Sequence, residues 1–159
     1  YHHILKDEPE WLARAEKLSS KIYEFTQFIV DVLGVTDVGA RFNDKVTYHK
    51  SCHVTRLMGI KEQPMKLLAG IQGLEYLPLH RAERCCGFGG TFTVKNPEIS
   101  AVMTREKALK IADSGANIVA GSDMACLMNI EGMLDRLYKE GEIDRHIRVM
   151  HIAELLNSR

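Results

Sequence analysis

The residues best equipped for chemistry are four cysteines: Cys52, the adjacent pair Cys85-Cys86, and Cys126. A thiolate is a nucleophile and a soft metal ligand, so this set admits disulfide bonding, thiol–disulfide exchange, zinc binding or iron–sulfur ligation. Secreted disulfide scaffolds are usually shorter than 159 residues and denser in cysteine, which favours reduced, metal-ready thiols. Exchange chemistry normally uses Cys-x-x-Cys, and a bridge between neighbouring residues is strained. A single tetrahedral zinc prefers two-residue spacing, whereas adjacent cysteines on an irregular loop can reach different atoms of one polynuclear centre. Thiolates are the standard ligands of iron–sulfur clusters, and Gly87, Gly89 and Gly90 would let backbone N–H groups approach the sulfurs closely. The same glycines also read as a plain tight turn, and a lone buried cysteine is ordinary packing. Gly87-Phe88-Gly89-Gly90 lacks the spacing and acidic partner of a dinucleotide fingerprint, so no nicotinamide or flavin site is expected.

Other donors lie beside these thiols in sequence. His49 and His53 flank Cys52 and could ligate metal, hydrogen-bond a sulfur or bind a carboxylate. Asp123 precedes Cys126 by three residues, as either the amino-terminal cap of a helix or an oxygen ligand. His151 could cap the last helix or approach the centre. Arg56, Arg81 and Arg84 lie near the cysteine loops, where they could steady negative charge, although a solvated surface is the simpler reading. Met58, Met65, Met103, Met128 and Met133 fall at apolar positions of predicted helices and are expected in the core.

These residues are positioned by alternating strands and helices. Apolar residues spaced by three and four (Trp11, Ala15, Leu18, Ile22, Phe25, Ile29, Val32, Leu33) predict one long helix over 8–34, stopped by Gly34. Strands are predicted at 45–48, 74–79, 117–120 and 147–150. Helices are predicted at 64–70, at 98–113 behind Asn96-Pro97-Glu98, from the Cys126 region to about 139, and from Ile152. Residues 85–90 must be a loop. This alternation predicts an α/β, Rossmann-like layered fold with a mainly parallel four-stranded sheet. Ligand sites in such folds lie beyond the carboxyl ends of the strands. Cys52 follows the first strand, Cys85 and Cys86 the second and Cys126 the third, so all four map to one edge.

The chain balances 21 basic against 21 acidic residues, so no net field draws in nucleic acid or an anionic membrane. Its apolar runs fall short of a membrane span and no leader opens it, so a cytoplasmic location is expected. Because Tyr1 rather than Met begins it, an upstream portion is expected to be missing. Residues 1–40 would form a linking helix and 41–159 the cysteine-rich domain.

Several stretches resemble a known family: Val46-Thr47-Tyr48-His49-Lys50-Ser51-Cys52-His53, Cys85-Cys86-Gly87-Phe88-Gly89-Gly90-Thr91-Phe92, Lys95-Asn96-Pro97-Glu98-Ile99-Ser100, Cys126-Leu127-Met128-Asn129-Ile130 and Arg148-Val149-Met150-His151-Ile152-Ala153-Glu154. They resemble the CCG cysteine-rich domain family, in which a lone cysteine is followed by Cys-Cys-Gly and then Cys-x-x-Cys. The family occurs in heterodisulfide reductase and in the iron–sulfur subunits of glycolate oxidase and anaerobic glycerol-3-phosphate dehydrogenase. The similarity is strongest to the second CCG copy of members serving L-lactate oxidation. This resemblance implies an electron-transfer subunit of a complex oxidising L-lactate to pyruvate, partnered by other iron–sulfur subunits and by an upstream CCG copy of its own. It also implies Cys52, Cys85, Cys86 and Cys126 as ligands of an iron–sulfur cluster. Where the family has Cys-x-x-Cys this chain has Asp123-Met124-Ala125-Cys126. The noncubane clusters of heterodisulfide reductase draw on a fifth cysteine, so an ordinary 4Fe-4S cluster on four thiolates is the simpler expectation. The alternative is a zinc-binding or metal-free scaffold domain.

Overall fold

A computed structural model describes residues 2–159; Tyr1, the first residue of the expected linking segment, lies outside them. The core is a four-stranded, all-parallel sheet in the order β2-β1-β3-β4. Its strands are β1 (Lys45–Tyr48), β2 (Glu75–Tyr76), β3 (Ile118–Gly121) and β4 (Arg148–His151). The α/β layered architecture expected from the alternation of elements is the one observed.

Alternation along β3 sends its side chains to two cores. Val119 joins Ile111, Ile130, Leu134 and Leu137 beneath α5 (Pro97–Asp113) and α6 (Met124–Lys139). Ile118 and Ala120 face the other way, with Val46, Leu67, Leu68 and Leu155, beneath α3 (Gln63–Ala69) and α7 (Ile152–Leu156). The chain leaves β1 for β2 on one side and crosses to β3 on the other. The β1/β3 junction is therefore the point where strand order reverses and where such folds open a crevice.

Three expectations need correction. The predicted helix 8–34 is broken into α1 (Pro9–Ser19) and α2 (Phe25–Gln27), the latter running into a π-helical turn over Phe28–Val32. The break has a chemical cause. Glu24 adopts an extended backbone (ψ 151°), and its carboxylate accepts from the N–H groups of Thr26 and Gln27, starting a new helix. The predicted strand 74–79 contracts to Glu75–Tyr76. Leu77 N–H still donates to Val46 O, but Pro78 has no N–H to continue the ladder. The methionines divide: Met65 and Met133 pack against the cores, whereas Met58 and Met128 are exposed. A further short helix, α4 (Thr91–Lys95), separates the glycine loop from α5. No helix among the described residues is long and apolar enough to cross a membrane.

Candidate metal centre

The thiols are placed by loops tied to the sheet edge. Beyond β1, His49 N–H donates to Ala120 O at 2.8 Å, which carries the β1–β3 pairing past the strand end. Tyr48 donates to or accepts from Ser122 Oγ at 2.9 Å, and burial pushes its phenol up to about 12. Ser51 is buried and its Oγ accepts from Val54 N–H. It thereby anchors a π-helical turn (His53–Leu57) that starts at the exposed Cys52.

The second loop is held from both sides. Lys50 N–H donates to Ala82 O at 3.2 Å. Behind the Cys-Cys-Gly segment, Thr104 Oγ1 donates to Cys86 O at 2.9 Å, Asn129 Nδ2 donates to the same carbonyl at 3.0 Å, and Ser100 Oγ donates to Gly87 O at 2.8 Å. Gly87 is required there: its φ is +86°, and a Cβ would sit 2.5 Å from Thr104 Oγ1 and 2.7 Å from Ser100 O. Gly89 and Gly90 also have positive φ.

Cys126 is delivered by α6. Asp123 caps that helix, its Oδ1 accepting from Ala125 N–H at 3.0 Å and Cys126 N–H at 3.2 Å. Its other oxygen lies 3.8 Å from Nδ1 of the largely exposed His53. His151 caps α7: its Nδ1 accepts from Ala153 N–H at 3.2 Å while Glu154 accepts from His151 N–H.

Cys86 Sγ and Cys126 Sγ, both buried, lie 2.9 Å apart. Either sulfur and a ring nitrogen of His49 fall within 4.8 Å of one another. Cys85 is half-buried and Cys52 is exposed, and neither joins the buried group of His49, Cys86 and Cys126. Burial pushes the Cys85 thiol up. The proton shared between the other two holds Cys86 far below the ordinary thiol range and drives Cys126 upward. His49 is 1% exposed, yet neither ring nitrogen has a hydrogen-bond partner. A buried unpaired polar group costs about 1–3 kcal/mol, a cost that coordination would remove. Soft sulfur donors beside an orphaned imidazole suit a thiophilic metal centre.

The polar groups behind the loop were not singled out from sequence. Their signal is a register: Ser100, Thr104 and Lys107 share the buried stripe of α5 with Ala108 and Ile111, where apolar residues are the norm.

A model of the CCG cysteine-rich domain matches residues 46–131, the span from β1 into α6 that carries all four cysteines. The whole chain is 52% identical to lactate utilization protein A of Bacillus velezensis and 50% identical to that of Bacillus subtilis, covering 64% of each. Over 99% of its length it is 54% identical to lactate utilization protein A of an Exiguobacterium species, covering 62% of that protein. The chain thus spans a little under two thirds of the length of the curated relatives it matches. From the matched span and the cysteines within it, the chain belongs to the CCG cysteine-rich domain family.

Proposed function

We propose that this chain is an iron–sulfur electron-transfer module acting in the oxidation of L-lactate to pyruvate. The observation that carries this reading is the pair of buried sulfurs of Cys86 and Cys126, 2.9 Å apart beside the unpartnered His49, with Cys85 adjoining Cys86 in the same loop. Cys52, Cys85, Cys86 and Cys126 would hold the cluster, most simply 4Fe-4S, and His49 would lie against it. When bound, the group would take up and release single electrons.

The chain's own residues would set the conditions for that. The carbonyl network of Ser100, Thr104 and Asn129 orients the loop, the Asp123 cap fixes Cys126, and the core under α5 and α6 keeps water from one side. The names of the relatives support the lactate context, and other iron–sulfur subunits of a lactate-oxidising complex would be the redox partners. Residues 41–159 would be the CCG unit and residues 1–40 the connection to a second copy. The exposed Trp11, Leu18, Ile22 and Phe25 are consistent with such a covered segment.

Metal analysis of protein purified anaerobically tests the reading. Iron with acid-labile sulfide and a signal that dithionite reduces would support it. Stoichiometric zinc without redox response would instead support a scaffold domain built on the same thiols.

A further inference from the structure

Lys107 sits in the middle of α5 with 3% of its surface exposed. Its Nζ donates to Arg81 O at 3.0 Å and Ala82 O at 3.1 Å. Both acceptors are neutral carbonyls, so the ammonium is hydrogen-bonded but its charge is not cancelled. Burying such a charge is costly, and an apolar side chain would fill this helix face at lower cost. Glu83 in the same turn is exposed, and one turn away on α5 Thr104 holds the Cys86 carbonyl, so the ammonium lies against the loop that carries the cysteines. Burial pushes the ammonium down to about 8. The arginines near the loops are otherwise engaged: Arg84 pairs with Glu106 at 2.6 Å, and Arg56 donates to Glu83 O. Arg81, whose carbonyl Lys107 holds, has φ +55°, the left-handed region that non-glycine residues rarely adopt. The lysine therefore both fixes the turn leading into Cys85-Cys86 and brings a buried positive charge to it.

We propose that Lys107 is the built-in countercharge of the cysteine centre, a positioning residue whose cation favours the reduced state of the group that Cys85 and Cys86 bind. The inference rests on the iron–sulfur reading of the site. Reduction there adds one electron from an external donor, with no bond made or broken, and a nearby cation stabilises the more negative product.

The test compares wild type with Lys107→Gln, which keeps a donor without the charge, and Lys107→Arg, which keeps the charge. In dithionite titrations of the reconstituted protein followed by electron paramagnetic resonance, Gln should shift the one-electron equilibrium at least tenfold toward the oxidised state. That corresponds to about 59 mV. Arg should recover most of the shift. A Gln variant with wild-type potential overturns the inference, as does an Arg variant no better than Gln. If Lys107→Gln and Lys107→Met both fail to fold by circular dichroism, the lysine is structural and the inference also falls. A wild type that assembles no cluster would sink the reading of the site and the inference with it, whereas a loaded protein with an unmoved potential would sink the inference alone.

Discussion

Asp123 opens the helix that carries Cys126, and its role separates cleanly by substitution. Its Oδ1 accepts from Ala125 and Cys126 N–H groups, so Asp123→Ala strips the first turn of α6 of its cap. Such a loss costs about 1 kcal/mol, within a range of about 0.5–2. For a chain of this size that lowers Tm by about 2–4 °C. Asparagine caps about as well as aspartate, and it gives up only the charge–dipole attraction and the long contact to the exposed His53, a few tenths of a kcal/mol together. Thermal melts of metal-free protein should therefore rank wild type, Asp123→Asn, Asp123→Ala, with Asn losing no more than half of what Ala loses. Reconstituted Asp123→Asn should bind as much iron as wild type. An alanine variant with unchanged Tm, or an asparagine variant that folds normally but loses its iron, would refute capping as the residue's main work and favour ligation by the carboxylate.

Gly87→Ala should disturb the Cys-Cys-Gly loop, since the new methyl would press on Thr104 Oγ1 and the Ser100 carbonyl; iron content after reconstitution should fall at least several-fold. Ile130→Ala removes a fully buried side chain between α6 and the sheet and should cost about 2–5 kcal/mol by urea denaturation. Asp44 accepts from Asn117 Nδ2, Lys45 N–H and Arg148, which hold its carboxyl below the ordinary 3.8, the Asn117 bond contributing most. A depressed carboxyl stabilises the fold above its unfolded value and loses that contribution as the pH falls through 3.8 toward the folded one. Asp44→Asn should accordingly flatten the fall in stability below about pH 4 in acid titrations by circular dichroism; an unchanged acid limb would contradict this.

The parallel sheet was legible in sequence because each strand is a short β-rich run between helical periodicities, and a parallel arrangement places the end of every strand on one side. Strand order alone thus mapped Cys52, Cys85, Cys86 and Cys126 to one edge, and the structure brings Cys86 and Cys126 into contact there. The apolar spacing of residues 8–34 misled because it continues in phase across Glu24, whose side chain rather than any change in periodicity starts the new helix. Pro78 was a readable stop for β2 that the apolar run around it obscured. Asp123 and His151 were each assigned a possible capping role, and the structure shows both caps. Lys107, Ser100 and Thr104 escaped notice because a polar residue on a helix is solvated unless the loop it serves is known. The need for them arises from carbonyls at Arg81, Ala82, Cys86 and Gly87, which have no sequence signature of their own.

The most direct measurement is anaerobic reconstitution of the chain and its four single Cys→Ser variants with iron and sulfide, with acid-labile sulfide and iron counted per chain. The account predicts about four irons and a dithionite-reducible resonance in the wild type, with both lost or strongly depleted in the Cys52, Cys85, Cys86 and Cys126 variants alike. Wild-type loading that survives replacement of Cys86 or Cys126, the two sulfurs in closest contact, would contradict it.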